Sequence, residues 1–291
     1  MAPDSKSNVL RLALPKGHME AGVIELLSDA GIKVQAGGRD YRPQVAFEGV
    51  DAKILRPQNI VEMLHVGSRD IGFSGADWVA ELGARVVSLL DTGLDPVRIV
   101  AAAPTEILEG GKLPARPLVI ASEYERLTTL WIKKRNLNAT FLRSYGATEV
   151  FPPEDADCIV DNLATGSTLR ANNLQIVNEL MSSSTRLYAN PSALQDPLKK
   201  GIVDRFVLLL RSVLESRKRV MVEVNVAAKD LEAVIAVLPC MREPTISPLH
   251  GEAGYAVKAA VPRGELTRVI PEIKARGGTD IVVTRLSHIV P

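Results

Sequence analysis

The feature that most constrains the fold is an alternation of short β-like runs with helical stripes, which persists through most of the chain and changes style near residue 219. VLRLAL (9–14) reads as a strand, and Val23, Leu26, Leu27 and Ala30 then recur at helical spacing before Gly31. VDAKILR (50–56) and RDIGFSG (69–75) read as strands around a helix at 58–66, with VVSLL and VRIVAAA as two further strands. PLVIA (117–121), a helix at 124–136, ATFLR (139–143), DCIVD (157–161) and a helix from about 169 repeat that order; RLYAN (186–190) adds a strand. Such alternation predicts a mostly parallel sheet covered on both faces. The Pro- and Gly-rich stretch 104–117 breaks both periodicities and marks a crossing between two lobes.

After Asp196 and Pro197, the positions Ile202, Phe206, Leu209 and Val213 with Val203, Leu210 and Leu214 give a long amphipathic helix. Past residue 219 come VMVEVNV, a stripe from Leu231 to Leu238, PTISPL, GYAVKAAV, a helix near 263–276 and DIVVTRL. That order, β-α-β-β-α-β, is the ferredoxin-like motif. The expected fold is therefore α/β, with residues 1–102 plus 186–217 as one lobe, 103–185 as a second, and 218–291 as a small α+β domain.

Composition narrows the function. With 46% hydrophobic and 24% charged residues the chain has material for real cores. A net charge of +1 supplies no global field for nucleic acid or an anionic membrane surface, so an anionic ligand must be met by a local site. The first residues, MAPDSKSN, are polar, and no apolar run reaches the length of a membrane span, which sets the expectation of a cytoplasmic protein. Cys158, Cys240 and four scattered histidines form no metal-ligand spacing.

The strongest local signal is CIVDNLATGSTLRANNL (158–174). An apolar run delivers Asp161 at a strand end, ATGST makes a small-residue loop, and a helix follows, so backbone N–H groups and the hydroxyls of Thr165, Ser167 and Thr168 converge as in a phosphate cradle. Gly166 permits close backbone approach. Asp157 and Asp161, four apart, are placed to hold sugar hydroxyls. The same loop also reads as a turn with a Ser/Thr N-cap. LALPKGH (12–18) ends a strand in Lys16, a compact charge where open α/β sheets bind ligands, or simply a solvated lysine in a turn. RDIGFSGADWV (69–79) places Asp77 at another strand-to-helix turn, where an N-cap accounts for it equally well.

Together ALPKG (13–17), RDIGFSGAD, ADCIVDNLATGSTLRANNL with SSSTRLYAN, and NVAAKDLEAVIAVLPCMREPTISPL resemble the long form of the ATP phosphoribosyltransferase family along nearly the whole chain. The resemblance implies a two-lobed periplasmic-binding-protein-like catalytic core with a C-terminal ferredoxin-like (ACT-like) regulatory domain. It implies Mg²⁺, the substrates ATP and 5-phosphoribosyl 1-pyrophosphate, L-histidine as effector, and a homo-hexamer. By position, Lys16 and Asp161 would be catalytic. Asp157 and Asp161 would hold the ribose hydroxyls, Thr165, Gly166, Ser167 and Thr168 the 5-phosphate, Lys16, Arg56 and Arg98 the polyphosphate, and Glu149 the nucleotide. Asn225, Met241, Glu243, Thr245 and Asp280 would hold histidine. The chain departs from the family pattern at His18, Asn173, Asn225 and Glu243.

The binding-protein fold also serves solute receptors and the effector domains of transcription regulators. The sequence carries no signal peptide and no helix-turn-helix, which leaves a stand-alone binding protein or an inactive enzyme as the competing class.

Overall fold

The computed structural model describes residues 9–35 and 41–290, which fall into two compact units. One runs to Asp204 and the other from Arg205 onward, the latter also taking in Asp29–Gly31.

The first unit opens with β1 (Leu10–Pro15), α1 (His18–Asp29), β2 (Val34–Gln35), β3 (Gln44–Val45), β4 (Val50–Leu55), α2 (Pro57–His65), β5 (Ile71–Gly75), α3 (Ala76–Leu82) and β6 (Val87–Pro104). It continues with β7 (Leu118–Ser122), α4 (Glu125–Lys134), β8 (Ala139–Arg143), β9 (Cys158–Leu163), α5 (Ser167–Ala171), β10 (Leu174–Ala189) and the first part of α6 (Pro197–Lys218). Eight strands join in the order β4-β1-β5-β10-β6-β9-β7-β8. Pairing is parallel within β4-β1-β5 and within β9-β7-β8, and antiparallel where β10 meets β5 and β6 and where β6 meets β9. The parallel strands explain the unbroken apolar runs: Leu10, Leu12, Ala13 and Leu14 are buried because β1 is covered on both faces.

The two halves share β6 and β10. VVSLL and VRIVAAA do not form separate strands; they merge into the 18-residue β6, which pairs with β10 through several register shifts. The bulges let one strand bend from the first half into the second. Residues 174–185 of β10 carry no strand-like alternation, since polar Ser182, Ser183 and Ser184 interrupt it, and the ladder to β6 overrides local propensity. The expected lobe limits at 102/103 and 185/186 lie inside these two strands, and α6 runs across residue 205, where the compact units divide.

The second unit contains β11 (Arg219–Val226), α7 (Leu231–Ile235), β12 (Thr245–Pro248), β13 (Tyr255–Pro262), α8 (Leu266–Ala275) and β14 (Thr279–Arg285). Its sheet order, β12-β13-β11-β14, is the ferredoxin-like one expected from the sequence. Val220, Val222, Val224 and Val226 alternate inward from β11 onto a core with Val257, Val261, Val234, Val269 and Ile273, so one sheet face is covered by α7 and α8.

Candidate active site

Two cavities adjoin in the first unit. The first, of about 390 Å³, is lined by Lys16, Arg56, Asp77, Tyr124, Asn162 and Ser183 among others. The second, of about 320 Å³, is lined by Glu149, Asp161, Asn162, Thr165, Gly166 and Thr168 among others. Glu123 and Asn162 border both. Most of these side chains stand just beyond the carboxyl ends of β1, β4, β5, β7 and β9, where parallel strands release the chain into loops.

Lys16 follows β1 directly; its ammonium donates to the Tyr41 hydroxyl at 2.9 Å and lies 4.7 Å from the centre of that ring, which lowers the Tyr41 pKa. Arg56 follows β4 and occupies the N-cap position of α2, with Pro57 fixing the first helical residue. Gly166 caps α5 with φ 76°, and a Cβ there would stand 3.2 Å from Arg170 Nη1 and 3.4 Å from Leu163 Cδ1. Thr165 Oγ1 and Ser167 Oγ are 3.0 Å apart, so the loop gathers hydroxyls at one point. Because α5 has only five residues, its dipole is small, and the polar groups gathered here are the hydroxyls and amides of the loop.

Asp161 is the fourth residue of β9; its Oδ1 accepts from the Asn162 backbone N–H at 2.7 Å. Burial pushes its carboxyl up to about 6, against that hydrogen bond and with help from the charges of Glu149 and Glu123. Glu149 lies in a short turn at Thr148–Val150.

Two expected members fall outside this group. Asp157 precedes β9, and its carboxylate accepts from the Val119 N–H at 2.7 Å and from Arg116 Nη2 at 2.7 Å. Four residues of extended chain separate it from Asp161 by about 13 Å, so the pair cannot clasp one ribose. Arg98 pairs with Glu179 at 3.2 Å on β6 and β10, while its neighbour Val97 is the residue that faces the first cavity. Strand alternation sends Arg98 to the other face.

In the second unit the five expected effector residues also separate. Met241, Glu243 and Thr245 border a cavity of about 430 Å³ with Met221 and Lys258. Asn225 and Asp280 are not part of that wall; Asn225 Nδ2 donates to Asp280 Oδ2 at 3.0 Å across β11 and β14.

Sequence reasoning missed the polar network beneath the first cavity. Asp77 is the second residue of α3, not its N-cap, which is Gly75. Its buried carboxylate accepts from Tyr124 Oη at 2.8 Å and from Ser183 Oγ at 2.6 Å. Trp78 stacks on Tyr124 with centroids 4.9 Å apart. The legible signal was positional: Asp77 and Tyr124 each come within two residues of a strand's carboxyl end.

The second cavity thus combines the Asp161 carboxylate with a hydroxyl-bearing loop, and the first carries the cations of Lys16 and Arg56. The sequence matches ATP phosphoribosyltransferase (HisG) over residues 56–212 and the HisG C-terminal domain over 216–288. The chain belongs to the ATP phosphoribosyltransferase family. ATP phosphoribosyltransferase of Chlorobium phaeovibrioides is 35% identical over 290 residues, covering 95% of this chain and 96% of the relative. That of Pelodictyon phaeoclathratiforme is 32% identical over 292 residues, covering 99% of each. Among solved structures, the ATP phosphoribosyl transferase (HisG:HisZ) complex from Thermotoga maritima matches with a TM-score of 0.64 and 26% identity, covering 71% of this chain and 99% of that one. The family's members are phosphoribosyltransferases, a class of glycosyltransferase, and serve histidine biosynthesis. The C-terminal match places this chain with the long form. Among the described residues no helix is long and apolar enough to cross a membrane.

Proposed function

We propose that the protein joins ATP to 5-phosphoribosyl 1-pyrophosphate, giving N1-(5-phosphoribosyl)-ATP and pyrophosphate in the first step of histidine biosynthesis in the cytoplasm. The observation that carries this reading is the meeting of the two cavities at Glu123 and Asn162, one with Lys16 and Arg56, the other with Asp161 and the Thr165–Thr168 loop. The 5-phosphate sits against Thr165, Gly166, Ser167 and Thr168, and Asp161 accepts from the ribose hydroxyls. Lys16 and Arg56 meet the polyphosphate, and Glu149 contacts the nucleotide.

Adenine N1 is a weak nucleophile, so the main task is to align it behind the anomeric carbon while charge leaves with pyrophosphate. No covalent nucleophile is needed. Magnesium, when bound, supplies charge neutralisation to the departing pyrophosphate. Among the described residues no three acidic, His or Cys side chains group as a cation cage. Asp161, which lines the second cavity, is the carboxylate that would hold the ion beside a bound phosphate. L-histidine as effector and a homo-hexameric assembly belong to the same proposal.

Pyrophosphate release measured with ATP, 5-phosphoribosyl 1-pyrophosphate and Mg²⁺ decides the activity. Release should require all three and stop with EDTA; folded protein that releases none overturns the reading.

A further inference from the structure

Asp77 and Glu81 lie four apart on α3 and so share one helix face. Both are nearly buried, at 3% and 8% exposed, and both are directed at the half of the sheet to which α3 does not belong. Glu81 Oε1 accepts from the Arg126 N–H and Oε2 from the Leu127 N–H, each at 2.9 Å. These are first-turn amides of α4, whose own N-cap, Tyr124, supplies no side-chain cap. Asp77 accepts from the Tyr124 hydroxyl. That hydroxyl oxygen in turn receives Asn162 Nδ2 at 3.5 Å, and the same amide nitrogen stands 3.3 Å from Asp161 Oδ1. A continuous polar line thus runs from α3 through Tyr124 and Asn162 to Asp161.

We propose that Asp77, Glu81 and Tyr124 are positioning residues: they lock the start of α4 to α3 and, through Asn162, set the second cavity in register with the first. For its catalytic consequence the inference rests on the phosphoribosyl-transfer reading. Two substrates held in neighbouring cavities react only when their atoms are aligned, and a misplacement of about 1 Å can cost on the order of a hundredfold in rate. None of the three residues lines the second cavity, which holds the Thr165–Thr168 loop, while Asp77 and Tyr124 border the first.

Tyr124→Phe isolates the effect, because it keeps the ring against Trp78 and deletes only the hydroxyl. Hydrogen exchange on the unliganded protein needs no substrate. The lock predicts amide exchange several-fold faster at residues 161–168 as well as 124–128, on the order of local opening. Acceleration confined to 124–128, or absent, overturns it. In turnover assays kcat should fall on the order of tenfold while both KM values stay within about twofold; an unchanged kcat removes the positioning role. Asp77→Asn combined with Tyr124→Phe should slow kcat no more than either alone, whereas additive losses contradict a shared line. If Asp77→Asn does not fold, Glu81→Gln, which retains one acceptor oxygen, replaces it and should give the same exchange pattern in weaker form. A wild-type chain without activity counts against the proposed reaction, and the exchange result still decides the lock.

Discussion

Asp161 is a carboxyl group whose fold works against its charge. Burial raises its pKa to about 6, and Glu149 and Glu123 add repulsion. An unfolded aspartate titrates near 3.9, so between about pH 4 and about pH 6 the unfolded chain has lost this proton while the native protein keeps it. Stability from this group therefore falls as pH rises through that window and is level above it. A ligand cation or a ribose hydroxyl that stabilises the carboxylate reverses the burden. The pH profile of kcat/KM for 5-phosphoribosyl 1-pyrophosphate should show an acid limb near pH 6, and Asp161→Asn should have a flat, low profile across it. A limb that survives in Asp161→Asn assigns the titration to another group. Thr168→Val tests the loop: losing one hydrogen bond to a charged phosphate is worth about 1.5–3 kcal/mol, so affinity should fall on the order of ten- to a hundredfold in calorimetry. Unchanged affinity reduces the loop to a turn. The loop and Lys16 were legible because small hydroxyl residues and a terminal cation are local in sequence. Tyr124 and Asn162 were not, because their significance comes from a hydrogen bond to residues tens of positions away.

Among the elements, β1 shows the opposite electrostatic arrangement. Asp70, 3% exposed at the turn before β5, accepts from the Arg11 backbone N–H at 2.8 Å, from Arg11 Nε at 2.9 Å and Nη2 at 2.8 Å, and from Lys199 Nζ at 3.0 Å. Burial alone would raise its pKa, yet these donors outweigh it and hold the carboxyl below its ordinary value. Its contribution is thus present above the unfolded pKa and is lost as pH falls through the depressed one, the reverse of Asp161. One side chain fastens β1, the β5 turn and the first turn of α6. Asp70→Asn leaves Arg11 and Lys199 without their carboxylate. Removing one partner of a buried pair costs 3–5 kcal/mol, and with the Arg11 side chain 38% exposed the loss should be near the low end, about 3 kcal/mol in urea unfolding at pH 7. A loss under about 1 kcal/mol would class it with ordinary surface pairs. The element order around β1 could be read from alternation alone, since parallel strands must be continuous and apolar. The fusion into β6 and the strand at 174–185 could not, because bulged ladders satisfy the backbone without leaving a period in the sequence.

At the scale of the whole molecule, the ferredoxin-like sheet leaves β14 exposed along most of its length, with Val282 at 53%. The proposed hexamer predicts a light-scattering mass near six chains at micromolar concentration, and a monomer mass removes the assembly. Feedback by histidine is the sharper test of what the second unit does. Free histidine brings an ammonium that needs acceptors, a carboxylate that needs donors and an imidazole that needs a polar partner. Glu243 supplies an acceptor, Lys258 and Thr245 supply donors, and Met221 and Met241 give apolar walls, all around the cavity of about 430 Å³. Asn225 and Asp280 satisfy each other outside that wall, so the five residues do not form one site within a single chain. Inhibition further requires histidine to prefer one state of the enzyme, because equal affinity for two states shifts neither. Glu243→Gln should weaken histidine binding on the order of tenfold in calorimetry, as expected for one charge-assisted contact, and raise the inhibitory concentration in parallel. Its kcat without histidine should match wild type. Asn225→Ala should leave histidine binding unchanged if the 430 Å³ cavity is the site, and abolish it if the effector lies at the β11–β14 pair instead. Absence of any binding to the intact chain removes the sensor from this unit.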